Sequence, residues 1–237
     1  MKSDLKLFSP THVVILVLVP LIAAALARWC RGGQHAARVI PYSLATLLAA
    51  IELAWYVYVV RVQGFHFPDG LPLELCDVTL WLTVYAAYSL RPWAFEIVYF
   101  TGLAGSGMAL ITPDLWAPFW TYPILSFFFA HGLTVTTILT LLWGKLAAPN
   151  RGSLWRVVIA VNAYAAVIGV FDAIFKTNYM YLRQKPQGAS ILNYFGPWPV
   201  YLIGGELLAL ALFWLLWLPY RRADRGQPRL SAFPPHR

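Results

Sequence analysis

Apolar residues run through this chain in blocks of about twenty, and polar residues gather between the blocks. Seven blocks stand out, at roughly 12–30, 39–60, 71–90, 93–112, 120–143, 154–175 and 198–219. Each is near or above the ~18 apolar residues that mark a membrane-crossing helix. None alternates apolar with polar, so the spans of a membrane β-barrel are excluded. The pattern predicts an all-α, polytopic membrane helix bundle with seven transmembrane helices over residues 1–220. A basic, disordered tail is expected over 221–237.

Composition agrees: 59% of residues are hydrophobic and 12% charged, with a mean hydropathy of +0.61. A soluble domain of this size has no interior large enough for that much apolar surface. The first block follows Lys2 and Lys6 but ends in LARWCRGG, which lacks a small-residue cleavage pattern, so it is expected to stay as a helix.

The formal net charge is +8, and its distribution is informative. The segments on the N-terminal side of the predicted bundle hold six Lys or Arg, those on the other side twelve. The positive-inside rule then places the N-terminus outside and the C-terminus in the cytoplasm. These charges are explained by topology and by anionic lipid, so no nucleic-acid partner is expected. The two cysteines, Cys30 and Cys76, fall near opposite faces of the predicted layer and are not expected to pair.

Two segments break the apolar pattern in different ways. GLAGSG, residues 102–107, is not a phosphate loop, since no strand precedes it and no Lys follows; close helix packing is the expected role. The long connection 176–199 is rich in aromatics and is expected to be ordered, with a short interfacial helical turn near 188–195.

The strongest anomaly is LPLELCDVTLW, residues 71–81, which places Glu74, Cys76 and Asp77 where a membrane helix should begin. Ionisable groups inside spans are costly and usually face a functional interior. With the predicted topology, Glu52, Glu74, Cys76, Asp77, His131, Asp172 and Glu206 all fall in the outer half of the layer, on five helices; Glu96 lies near the inner face. The expected arrangement is one water-accessible, outward-facing cavity lined by those seven residues. Cys76 is the candidate nucleophile and His131 its base, with Glu52 or Glu206 orienting the imidazole. The flanking acids oppose a resting free thiolate, so a Cys–His pair is the expected form. No H-x-x-x-H or C-x-x-C spacing occurs, so neither a metal nor another cofactor is expected.

In chain order, LPLELCDVTL, YFTGLAGSGMALITPDL, AHGL, TNYMYLRQKP and GPWPVY resemble the YwaF-like family of bacterial integral membrane proteins, over about residues 40–220. The resemblance implies a seven-helix or similar bundle in a bacterial plasma membrane. That family is distantly similar to an animal transmembrane acyltransferase that moves acyl chains between phospholipids without coenzyme A, using a cysteine and a histidine. The likeness points to His131, in AHGL, and to Cys76 on the matching helix. It also implies roles for Asn178, Tyr179, Tyr181, Arg183 and Lys185 in the outer loop, whose two cations suit a lipid phosphate.

Three functions are consistent with these features. They are a Cys–His acyltransferase or lipid hydrolase acting on membrane phospholipid, a proton- or cation-coupled transporter using Glu52, His131 and Glu206, and a non-catalytic lipid- or partner-binding component. Polar residues are scarce in the inner half, where Glu96 and Asn162 stand nearly alone, which ranks transport below catalysis.

Overall fold

The computed structural model describes residues 5–113, 115, 117–186 and 190–222. Its long elements are helices. They are α1 (Pro10–Gly32), α2 (Gln34–Tyr58, running on as a π-helical segment over Val59–Gly64) and α3 (Leu75–Ser89). Next comes α4, made of Pro92–Thr101, a π-helical segment at Gly102–Ser106, and Gly107–Ile111. The remaining helices are α5 (Tyr122–Trp143), α6 (Ser153–Phe175) and α7 (Val200–Trp217). Among the described residues no strand occurs.

Local chemistry sets the boundaries. Ser9 caps α1 by accepting the His12 N–H, and Pro10 takes the first helical position, where its missing N–H costs nothing. Pro92 and Pro123 occupy the corresponding early positions of α4 and α5. Leu90, at φ 49°, turns the chain sharply between α3 and α4.

Six helices are long and apolar enough to cross a membrane, against the seven spans expected. The shortfall is the block at 71–90. Its helix starts only at Leu75 and has 15 residues, about 22 Å of rise against a hydrocarbon core of roughly 30 Å. Pro72 and the cap formed by Glu74 hold the first part of that block out of the helix. α3 is nevertheless central, packing against α2, α4 and α5.

The six long helices divide by environment. More than half of α4 and α5 is buried, whereas α1, α6 and α7 turn most of their surface outward. Ile159, Val167, Val170 and Ile174 on α6, with Ile203 and Leu207 on α7, are exposed and apolar, as lipid-facing side chains should be. The core joins Ala45 and Leu48 of α2, Leu80 and Val84 of α3, Phe95, Val98 and Phe100 of α4, and Ile138 and Leu141 of α5. Hydroxyls reinforce it: Thr79 of α3 donates to Thr101 of α4 at 3.0 Å, and Thr101 donates in turn to the Ile97 carbonyl. Gly102 is required where α4 meets α5, because a Cβ there would collide with the Ile138 side chain. The packing role expected for the glycine-rich segment is met at Gly102 alone; a Cβ at Gly105 or Gly107 would enter open space.

The connection from α6 to α7 contains short 3-10 helices at Tyr179–Tyr181 and Ile191–Phe195. The second overlaps the helical turn expected near 188–195, of which 188 and 189 lie outside the described residues. The tail expected over 221–237 also lies outside them beyond Arg222.

Candidate functional site

The two acids that flank the thiol have a structural task. The first amides of any helix lack intrahelical acceptors. Glu74 stands at the N-cap of α3 and Asp77 at its third position, and each side chain takes the other's backbone N–H in a capping box; the Glu74 N–H reaches Asp77 Oδ2 at 3.1 Å. Glu74 Oε2 also accepts the Met180 N–H at 3.0 Å, tying the α6–α7 connection to the start of α3. Between the two acids, Cys76 sits in the first turn as an exposed, unpaired thiol.

Cys76 opens onto a cavity of about 280 Å³ whose walls also include Glu52 of α2, Glu74 and Asp77, and His131 of α5. Trp55, Leu80, Phe127 and Ala130 make much of the wall apolar, and Ser106, Ser126 and Thr134 add hydroxyls. Ser106 comes from the π-helical segment of α4, a helix irregularity often found at functional sites.

His131 is oriented by its own helix. Its Nδ1 lies 2.8 Å from the Phe127 carbonyl, which can only accept, so Nδ1 carries the proton and Nε2 keeps a lone pair. The expected orienting carboxylate is therefore replaced by a backbone carbonyl one turn back. Glu206 accepts instead from the Asn162 amide at 3.0 Å, between α7 and α6.

Glu52 is 3% exposed. The Trp81 indole donates to the Tyr56 hydroxyl at 2.8 Å, and Tyr56 stands one helical turn after Glu52 on α2. Oε1 of Glu52 has no partner.

Thus Glu52, Glu74, Cys76, Asp77 and His131 share one cavity, while Asp172 and Glu206 stand apart from it. Asp172 is fully buried beneath the α6–α7 connection, where Oδ1 accepts from the Thr177 hydroxyl at 2.6 Å and the Tyr179 N–H at 3.1 Å. Carboxylates at similar predicted depth need not face the same way, and Asp172 answers the local demand of the loop amides.

The residues of the α6–α7 connection expected to form an outer loop are also apart from this cavity. Asn178 Oδ1 accepts from the Arg183 and Gln184 amides. The Tyr179 hydroxyl lies 2.8 Å from the Pro68 carbonyl and 2.9 Å from that of Leu71. Burial, with the carboxylates of Asp69, Glu74 and Asp77 nearby, pushes the Tyr179 phenol up to about 12, so it remains a donor. The Tyr181 carbonyl accepts from Tyr201, Arg183 donates to the Thr177 carbonyl, and Lys185 lies over the Tyr201 ring. The two cations expected to meet a lipid phosphate are thus engaged within the loop and its neighbours.

Sequence reasoning missed Tyr56, Trp81, Ser126 and Thr134. Part of the signal was present. Tyr56 follows Glu52 by four residues, one helical turn, and Ser126, Ala130 and Thr134 share a stripe beside His131. Trp81 had no such cue, because its contact with Tyr56 is between helices. Among the described residues, no group of three or more His, Cys, Asp or Glu is placed to hold a metal ion.

Fold and cavity together define a multi-pass membrane protein with a polar pocket set within an apolar helix bundle. A family model matches residues 7–217, and the chain belongs to the TMEM164 family, a family of transmembrane proteins. No curated protein and no solved structure matches it.

Proposed function

We propose that this protein is a coenzyme-A-independent phospholipid acyltransferase, or lipid hydrolase, that uses Cys76 as nucleophile and His131 as general base. The observation that carries the reading is the His131 tautomer: Nδ1 is tied to Phe127, leaving a proton-accepting Nε2 in the cavity that Cys76 also lines. The resemblance to the YwaF-like family and its acyltransferase relatives supports it.

In this reading the Cys76 proton passes to His131 Nε2 as the sulfur attacks an ester carbonyl. The carbon–oxygen bond of the ester breaks, the departing alkoxide takes the proton, and the acyl group is held as a thioester. An alcohol or water then attacks that thioester, gives its proton to Nε2, and the thiol is regenerated as the carbon–sulfur bond breaks. The first-turn amides of α3, at Leu75 and Cys76, are free of intrahelical acceptors and suit the developing oxyanion.

The topology belongs to the same proposal. α3, with its non-helical lead-in, makes a seventh crossing of a bacterial plasma membrane, with the N-terminus outside, the C-terminus cytoplasmic and the cavity facing outward. Transport fits less well. At the inner face Glu96 is closed off by Arg156 and Asn150, and Asn162 is committed to Glu206.

The test is acyl exchange from labelled phospholipid in reconstituted vesicles. Cys76→Ala should abolish it, and His131→Ala should lower it by about 10²–10⁴-fold, with membrane insertion intact. Exchange that survives both substitutions eliminates the mechanism.

A further inference from the structure

Two residues on the cavity wall carry an uncommitted hydrogen-bond acceptor, and the reaction above needs only one of them. His131 Nε2 is the first. The second is Oε1 of Glu52, a buried carboxyl oxygen with no partner. The other carboxyls on this wall are used: Asp77 and Glu74 complete the capping box, and Glu74 also holds Met180. Asp172 has an unpartnered oxygen as well, but it lies under the outer loop, away from the cavity. A buried acceptor left open is unfavourable, and the cavity is where a ligand can supply the missing donor.

A second cavity, of about 530 Å³, adjoins the first and shares Trp55 and Asp77 with it. Its wall includes Gln63 from the π-helical end of α2, and His66 and Asp69 from the connection between α2 and α3. A molecule with a polar end in the outer cavity can therefore extend an inner part toward Cys76, passing the α2 wall on which Glu52 lies.

We propose that Glu52 is the binding residue for the acyl acceptor, with Oε1 taking the hydrogen bond of the free glycerol hydroxyl of a monoacyl lipid. This inference rests on the acyl-transfer reading and names the acceptor that completes it. The acceptor oxygen attacks the Cys76 thioester carbonyl and the carbon–sulfur bond breaks. The hydroxyl proton goes to His131 Nε2 and from there to the departing sulfur. Glu52 takes no proton in this step; it aims the hydroxyl and favours the lipid alcohol over water.

The first arm of the test is binding alone. Full-length Cys76→Ala protein, which cannot form the thioester, is placed in nanodiscs. It is titrated with radiolabelled lysophosphatidylcholine and with the analogue that lacks the free hydroxyl. The hydroxyl form should bind at least about tenfold more tightly. Adding Glu52→Leu should remove that preference, and adding Glu52→Gln, which keeps a carbonyl acceptor, should retain part of it. Equal binding of the two lipids by protein with intact Glu52 overturns the inference and requires no change at Glu52. So does a preference that persists in Glu52→Leu, or one that follows headgroup charge in place of the hydroxyl.

The second arm uses intact Cys76 and measures acyl transfer to lysolipid relative to thioester formed. Glu52→Leu should lower that ratio at least about tenfold; an unchanged ratio overturns the inference. If protein with intact Cys76 forms no thioester, the acyl-transfer reading fails by itself, and the binding arm still decides whether Glu52 selects the hydroxyl.

Discussion

The two faces of the bundle use buried carboxylates in opposite ways. At the predicted inner face Glu96, 4% exposed, is fully engaged. Arg156 Nε donates to Oε2 at 2.9 Å, Arg156 Nη2 reaches both oxygens, and the Asn150 amide donates to Oε1. Asn150 and Ser153 close the network on the connection before α6. At the cavity Glu52 is equally buried, yet one oxygen has no partner, and nearby His131 keeps a lone pair and Cys76 a free thiol. Burial alone does not mark a site in a membrane protein. Unspent hydrogen-bonding capacity at a cavity wall does.

That contrast breaks most sharply at Arg156. Glu96 is the buried partner, and Arg156→Leu leaves its carboxylate without a cation, so the change should destabilise the protein by about 3 kcal/mol. Glu96→Gln should cost less, about 1 kcal/mol, because glutamine still accepts from Arg156, whose side chain is 41% exposed and can turn to water. Thermal unfolding in detergent gives both values. Acyl exchange per folded molecule should be unchanged in each. A catalytic loss at equal folded fraction would show that the inner network is coupled to the outer cavity, and the division between them would fail.

The same contrast accounts for what the sequence made legible. Hydropathy revealed the apolar blocks, because a lipid-spanning helix must be apolar along its whole length. It overstated the block at 71–90, because hydropathy does not register that Glu74 and Asp77 are a helix cap. The acids and thiol on α2 and α3, with the histidine of α5, could be grouped by depth, and they do share a cavity. Depth could not separate Asp172 and Glu206 from them, since it carries no rotation about the helix axis. Nor could it find the Phe127 carbonyl behind His131, since any backbone carbonyl is invisible to a search among side chains.

A smaller effect sharpens the packing side of the comparison. Gly102→Ala places a methyl against Ile138, which is fully buried, and should cost about 2 kcal/mol, within the usual range for overpacking. Ile138→Val in the same chain should recover much of that loss. If the pair is additive, the π-helical segment of α4 relaxes independently of α5, and Gly102 has no role in setting their approach.

The smallest effect tests whether the outer loop is part of the scaffold or of the site. Tyr179 is 6% exposed, and its hydroxyl serves two carbonyls in the lead-in to α3. Tyr179→Phe removes a donor from two part-buried carbonyls, each of which keeps a backbone N–H, and should cost about 1 kcal/mol. The pH dependence carries a further signature. The folded phenol titrates at about 12 against an ordinary value of 10.0. A raised value favours the neutral form in the fold, so the contribution is complete below pH 10 and is lost as pH rises toward 12. The difference in stability between the natural chain and Tyr179→Phe should therefore be flat through neutral pH and narrow only above 10. Acyl exchange should fall only in proportion to the folded fraction. A larger loss would mean that the lead-in to α3, and with it the position of Cys76, depends on this one hydroxyl.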